Sequence, residues 1–210
     1  MKYKIDLHVH TTTSSCSGFS PQQLVEKVKE FKPYAVTITN HHNYTGDVTF
    51  LQEKIGQMGI PFFAGMEITN NWGDFLLFGK DLKTFKGHRG NFPTDLLPDP
   101  DIAVVWAHPY RFMNEDEINR IKYDVVNYID AIEGVNGNCL KGCPQANYQA
   151  LNLAEELDLP TTAGSDSHNR KMFFMTWTEF DNPIETYDDL IFNLKQGNFE
   201  IEDTQWKKYG

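Results

Sequence analysis

The chain has 210 residues, 40% of them hydrophobic and 23% charged, which suits one globular domain spanning residues 1–210. Its formal net charge of −10 opposes broad contact with a phosphate backbone, so long nucleic acid is not the expected partner. A local cluster of cations, or bound metal, would still admit a small phosphorylated molecule. No apolar run could span a bilayer, the N-terminal residues carry no apolar signal segment, and three cysteines (Cys16, Cys139 and Cys143) make no disulfide framework. A cytoplasmic protein with ordinary thiols and no membrane contact is expected.

Along the chain, Tyr3 to Val9 alternates as a strand, with Ile5, Leu7 and Val9 on one face and Asp6, His8 and His10 on the other. Ser20-Pro21 opens a helix as N-cap and first turn, and Pro33 ends it. Ala35 to Thr39 reads as a second strand. Asp47 to Met58 is an amphipathic helix stopped by Gly59. Pro61 to Ile68 and Asp74 to Phe78 read as strands, and Lys80 to Pro100 as a long loop. Then come a strand over Ile102 to Ala107, a helix over Glu115 to Asn127 and a strand over Tyr128 to Glu133. A helix over Asn147 to Leu157, a strand over Pro160 to Gly164, an extended segment over Phe173 to Thr178 and a helix over Tyr187 to Lys195 complete the series. Seven apolar strands separated mostly by helices point to an α/β fold with a parallel sheet, closed into a barrel or open and doubly wound. No Gly-x-Gly-x-x-Gly follows the first strand, so a dinucleotide fold gains no support.

The chemistry-bearing residues gather where strands end. His8 and His10, two apart, share one face at the end of the first strand. His41 follows the second, Glu67 closes the third, His108 closes the fifth, and Asp166 and His168 follow the seventh. In a parallel barrel those ends form one rim. Singly, each is an ordinary solvated or capping side chain; jointly they form a ligand set. Histidine with carboxylate suits Zn, Mn or Fe better than Mg or Ca. Five histidines and two carboxylates exceed one ion's needs, so two or three ions sharing a carboxylate are expected. Such paired ions suit hydrolysis of phosphate esters by a metal-activated hydroxide.

Five segments carry a resemblance: Asp6-Leu7-His8-Val9-His10-Thr11, Thr39-Asn40-His41, Gly65-Met66-Glu67, His108-Pro109 and Gly164-Ser165-Asp166-Ser167-His168. In this order the chain resembles the PHP (polymerase and histidinol phosphatase) family, over most of its length to His168. The resemblance implies a distorted (β/α)7 TIM-like barrel and phosphoesterase chemistry at a bi- or trinuclear metal site. It implies that His8, His10, Glu67 and Asp166 hold one ion, that Glu67 bridges to a second bound also by His108, and that His41 and His168 hold a third. The chain departs from the family pattern at Asn40 and His42, which flank the second-motif histidine, and at Gly79-Lys80-Asp81 after the fourth strand, where trinuclear members can carry a histidine. It also departs at Ser14-Ser15-Cys16-Ser17, where Cys16 is a soft ligand or a small loop residue.

Arg111 would reach the rim and could grip a phosphate through its forked guanidinium, which makes it the candidate catalytic side chain. Arg170 and Lys171 are weaker cases of the same kind. Lys86, His88 and Arg89 would form a lid, a substrate contact or a solvated loop, and Tyr44 and Trp72 a pocket mouth. Phe62, Phe63, Phe75 and Phe78 read as core. Glu133 and Asn136 would orient ligands. The expected function is hydrolysis of a phosphate ester of a small metabolite or nucleotide. The competing readings are an amidohydrolase-type metal hydrolase and a non-catalytic metal-binding regulatory domain. Oligomeric state leaves no mark in the sequence.

Overall fold

Local signals place the helices close to where the sequence puts them. The computed structural model describes residues 2–42, 45–82 and 99–202. Helix α1 (Pro21–Phe31) begins on a capping box: Ser20 Oγ accepts from the Gln23 N–H at 3.2 Å and Gln23 Oε1 accepts from the Ser20 N–H at 3.0 Å. Lys32, in the left-handed conformation, ends it. Helix α2 (Val48–Gly56) follows Asp47, and α3 (Glu115–Val125) starts on an Asn114–Glu117 capping box and runs into a 3-10 turn, Val126–Tyr128. Short α4 (Cys139–Gly142) precedes α5 (Pro144–Glu156). Thr186 caps α6 (Tyr187–Gln196), which ends at left-handed Gly197.

Nine strands form two sheets among the described residues. Six, in the order β2 (Val36–Ile38), β3 (Phe62–Asn70), β4 (Gly73–Gly79), β5 (Ile102–Ala107), β6 (Ala131–Asn136) and β7 (Thr161–Gly164), make the main sheet. A small antiparallel sheet joins β1 (Tyr3–Ile5), β8 (Thr178–Phe180) and β9 (Phe199–Ile201). Pairings β2–β3, β5–β6 and β6–β7 are parallel, as expected, each with a helix between the strands. The all-parallel expectation fails at β4, which runs against both β3 and β5. Asn70 pairs with Gly73, so Asn71 and Trp72 alone turn the chain, far too few residues for a parallel crossover.

The expected first strand, Tyr3 to Val9, is shorter: β1 stops at Ile5, and residues 6–11 then run between the two edges of the main sheet. On the β2 side, the Thr37 hydroxyl donates to the Asp6 carbonyl at 2.6 Å and the Thr39 N–H to the Val9 carbonyl at 2.8 Å. On the β7 side, Val9 bridges Ser167 in parallel and the His10 N–H donates to the Ser167 carbonyl at 3.0 Å. The main sheet is therefore curled, with its edges laced together by the segment that carries His8 and His10. Asp6 is the principal knot. Its buried carboxylate accepts from the backbone N–H groups of Ser165 (2.8 Å), Phe174 (3.0 Å) and His8 (3.2 Å). Burial pushes this carboxyl up to about 6, against the three donors that favour its anion.

Alternation sorts the sheet's two faces. Met66, Ile68, Phe75, Leu77, Val104, Trp106 and Ile132 pack with Ile118 of α3 and Leu153 of α5. The other face carries Leu76, Phe78, Ala103, Val105 and Ala131 against Ile5, Leu7, and Leu190 and Leu194 of α6. That face also bears Glu67, Asp74 and Glu133, so an apolar floor plugged by α6 lies beneath the polar cluster. Phe63, Phe75 and Phe78 are buried and Phe62 packs against the cluster around Phe19 and Ile38, all as expected of core. The extended segment expected over Phe173 to Thr178 is instead a series of turns, with only Thr178 in a strand; Phe173 and Phe174 pack beside Phe19 and Phe31. Strand β6 begins at Ala131, three residues later than Tyr128, because the 3-10 turn consumes that stretch. Tyr44, Lys86, His88 and Arg89, with most of the Lys80 to Pro100 loop, lie outside the described residues. No helix among the described residues is long and apolar enough to cross a membrane.

Candidate metal centre

The seven expected ligand residues meet at one end of the curled sheet. His8 and His10 come from the lacing segment, His41 from the end of β2, Glu67 from β3, and His108 from the end of β5. Asp166 and His168 come from the loop after β7. Gly164 permits the close approach: a Cβ there would lie 2.5 Å from His8 Cβ and 2.8 Å from Glu133 Oε1. His108 (φ 27°), Asp166 (φ 49°) and the neighbouring His42 (φ 46°) adopt positive φ, a strained conformation that clusters at functional sites.

The ligand atoms of His8, His10 and Asp166 converge, with Glu67 beside them. His8 Nε2 and His10 Nε2 are 3.0 Å apart. Glu67 Oε2 lies 3.5 Å from the first and 3.1 Å from the second, and Asp166 Oδ1 lies 3.5 Å and 3.2 Å away. Ligands held about 2.0–2.2 Å from one tetrahedral ion stand about 3.3–3.6 Å from each other. Glu67 Oε2 is buried and accepts no hydrogen bond among the described residues, an arrangement that calls for a cation. The second Glu67 oxygen, Oε1, faces His108 Nε2 at 3.2 Å. Glu67 thus presents one oxygen to His8 and His10 and the other to His108, as a bridging carboxylate does.

Three triads have convergent atoms: His8, His10 and Asp166; His8, Glu67 and His108; and His10, His41 and His168. They share His8 and His10, and one ring nitrogen serves one ion. With His10 committed to the first triad, His41 and His168 remain as a pair. Cys16 lines the same cleft but is not in a convergent triad, in keeping with a loop residue.

Surrounding side chains set the tautomers. Glu133 Oε1 accepts from His8 Nδ1 at 2.9 Å, which leaves Nε2 a lone pair aimed inward. Glu133 Oε2 accepts from the His108 N–H at 3.1 Å and from Asn136 Nδ2 at 3.0 Å, so the expected orienting role of both residues matches their contacts. The Asp166 carbonyl accepts from His168 Nδ1 at 2.8 Å. Asn40 is not a ligand. Its Oδ1 accepts from the Thr11 N–H (2.8 Å) and the Ser14 hydroxyl (3.0 Å). Ser14 Oγ in turn lies 3.3 Å from His10 Nδ1 and accepts from the His41 N–H at 2.9 Å. An amide, where the PHP pattern often has a carboxylate, thus braces His10 and His41 through Ser14 without adding charge. Glu133→Gln should lower metal affinity about 10- to 100-fold with little change in fold. A metal titration of variant and parent checks this; equal affinities would show that Glu133 does not tune His8.

The charges are mutually dependent. Burial opposes charge on His8, but Glu133, Asp166 and Glu67 outweigh it and hold its pKa well above the ordinary range. Burial likewise works against the anions of Glu67 and Asp166, yet His8 and its neighbours hold both carboxyls well below theirs. Burial lowers His41 to about 4 and also lowers His168, so both imidazoles are neutral at pH 7. An ion bound among His8, His10 and His108 must displace their protons, so metal affinity falls as pH drops.

Arg111, a quarter exposed, places its guanidinium on Asp166 Oδ2 at the cleft wall. Arg170 turns outward to Glu26 at 3.8 Å, and Lys171 is exposed on the same turn. Trp72 packs on Tyr128 at 5.9 Å in the outer core, not at a pocket mouth. Lys80 pairs with Asp188 of α6, at the end of β4 opposite the site, because β4 is antiparallel. The same reversal brings Asp74, at the start of β4, to the rim, with Oδ2 at 3.8 Å from His108 Nδ1. The parallel reading missed Asp74; the two-residue turn Asn71-Trp72 was the signal for it.

The chain is similar to several known proteins. A family model described as PHP-associated matches residues 144–199. An uncharacterized protein of Methanocaldococcus jannaschii is 26% identical over 182 residues, covering 79% of this chain and 65% of that protein. The chain thus spans about two thirds of that relative's length. The 3′,5′-nucleoside bisphosphate phosphatase of Chromobacterium violaceum is 30% identical over 69 residues, 33% of this chain and 24% of that protein. Among solved structures, PsfC from Pseudomonas syringae shares the fold with a TM-score of 0.67 at 19% identity, covering 98% of this chain and 94% of that one. The lesion-specific endonuclease EndoQ of Pyrococcus furiosus shares it with a TM-score of 0.62 at 14% identity, covering 96% and 58%. In its ordered motifs and in the PHP-associated match over residues 144–199, the chain is similar to PHP-family proteins.

Proposed function

We propose that this chain is a metal-dependent phosphoesterase that hydrolyses a phosphate ester of a small metabolite or nucleotide. Residues 1–210 would act as one domain, a distorted (β/α)7 TIM-like barrel closed through segment 6–11. The observation that supports this reading is the convergence of the His8, His10 and Asp166 ligand atoms beside Glu67, whose second oxygen is turned to His108. In this reading His8, His10, Glu67 and Asp166 hold one divalent ion, and Glu67 and His108 a second. His41 and His168 offer a thinner third position. Zn, Mn or Fe suits this donor set. Such ions, when bound, supply a nucleophilic water at neutral pH and offset charge on the phosphoryl oxygens.

The chain's own groups then do the positioning. Arg111 lines the cleft and has further N–H donors beside the one on Asp166, which would hold a phosphate oxygen. Glu133 fixes the His8 tautomer, and Asn136 donates to both Glu133 and Asp166, at 3.0 and 3.3 Å. A Glu in the bridging place, rather than a modified Lys, favours phosphate chemistry over the amidohydrolase reading. The DNA-acting EndoQ shares the fold, so acidic net charge alone does not set substrate size. The cleft over the ligands, about 170 Å³, favours a small phosphate group.

The test is hydrolysis of a generic aryl phosphate, with and without added Mn or Zn. Activity should require metal, and oxygen from isotopically labelled water should appear in the released phosphate. Metal-loaded protein inert towards phosphate esters would refute the proposal. Arg111→Ala should lower kcat/KM about 10- to 100-fold, the worth of charge-assisted hydrogen bonds to phosphate. Unchanged kinetics would remove Arg111 from the substrate site.

A further inference from the structure

A second hollow of about 480 Å³ adjoins the metal centre, a size typical of small-molecule sites. His41, Asp74 and Phe112 line both spaces, so an ester whose phosphate sits over the ligands extends its alcohol into this hollow. One wall is the β3–β4 hairpin, with Thr69, Asn70, Asn71 and Asp74; the other is the segment leading into α3, with Phe112 and Glu117.

Two features of these walls bear on the substrate. The first is Phe112. Its ring is 73% exposed, an unusual setting for a large apolar side chain. It stands edge-on to His108, with ring centres 6.0 Å apart, and the Arg111 guanidinium lies 4.9 Å from its centre. A ring held beside the metal ligands offers a platform for a flat group on the substrate. The second is charge. Among the described residues lining the hollow, none is a lysine or arginine, while Asp74 and Glu117 are acidic. The N-terminus of α3, which would otherwise favour an anion, carries Glu115, Asp116 and Glu117 in its first turn. Asn114 Oδ1 and Glu117 Oε2 occupy its cap N–H groups.

We propose that this hollow is the leaving-group pocket, and that it selects a phosphomonoester whose alcohol bears a flat ring and carries no second anionic group. The inference rests on the phosphoesterase reading. It sets this chain apart from its partial relative, which is named for a nucleoside bisphosphate. Phe112 stacks the ring, the hairpin's amides and hydroxyl meet its polar edge, and Glu117 and Asp74 repel a second phosphate.

The experiment compares esters that share one reacting centre. For metal-loaded protein, kcat/KM for adenosine 5′-monophosphate should exceed that for ribose 5-phosphate about ten-fold or more, as a stacked base implies. Phe112→Ala should abolish that preference, mainly through KM, and Phe112→Tyr should restore it. The monophosphate should also exceed adenosine 3′,5′-bisphosphate about ten-fold, and Glu117→Gln, which keeps the capping box, should narrow the gap. Adenosine binding to metal-free protein, followed by calorimetry, should weaken about ten-fold in Phe112→Ala. Hydrolysis of ribose 5-phosphate as readily as the nucleotide, or of the bisphosphate as readily as the monophosphate, would overturn this inference alone. Hydrolysis of no phosphate ester would overturn the phosphoesterase reading and the inference with it.

Discussion

Replacing Glu67 with Gln should cut phosphoesterase activity at least about a thousand-fold and lower the number of ions held per chain. The magnitude follows from Glu67's place. Its Oε2 lies within 3.1 to 3.5 Å of His8, His10 and His41, and its Oε1 is 3.2 Å from His108, so one side chain touches residues of all three triads. Gln keeps the shape but replaces one anionic oxygen with an N–H₂ donor that repels a cation. Removing several kcal/mol of electrostatic stabilisation corresponds to a thousand-fold or more in rate. His41→Ala, at the thinner position, should cost far less. Activity assays with elemental analysis of each variant decide the matter: a Glu67→Gln protein with full metal and full rate would mean the carboxylate bridges nothing.

The second large effect is structural. Asp6→Ala should destabilise the fold by at least about 3 kcal/mol, because three buried N–H groups lose their acceptor at about 1 kcal/mol or more each. For a chain of this size that is about 6–12 °C in Tm. Those donors belong to His8, Ser165 and Phe174, so the loss loosens the seam between the lacing segment, β7 and the turns that follow. Metal affinity should fall along with stability, since His8 and Asp166 sit on the two sides of that seam. Asp6→Asn retains an acceptor oxygen and should cost less. Thermal denaturation of both variants tests this, and an unchanged Tm in Asp6→Ala would show that segment 6–11 does not join the sheet's edges.

Much of this molecule is legible in its residues. Ser20, Pro21, Pro33 and Gly197 announce helix ends through backbone chemistry that depends on near neighbours alone, and those ends fall where expected. The grouping of the seven candidate residues is legible because strand ends concentrate chemistry, and they meet in three neighbouring triads. Strand direction is another matter. Alternation shows which residues share a face but not which way the strand runs, so β4 read as parallel and attention fell on Lys80 rather than Asp74. Three-residue strands such as β8 and β9 carry too little pattern to stand out, and their pairing with β1 joins residues far apart in sequence. The 173–178 segment is apolar because it packs on Phe19 and Phe31, not because it is extended. Asn40 read only as a departure from the family pattern, and its contacts with Thr11 and Ser14 reveal a brace.

Elemental analysis of the purified protein after exposure to Zn, Mn or Fe decides whether these side chains hold catalytic metal. Two tightly held ions per chain are expected, with a third at most weakly retained at the His41–His168 pair and loss of the tight ions in Glu67→Gln. A protein that retains no ion after reconstitution, or whose ions persist in that variant, would contradict that expectation.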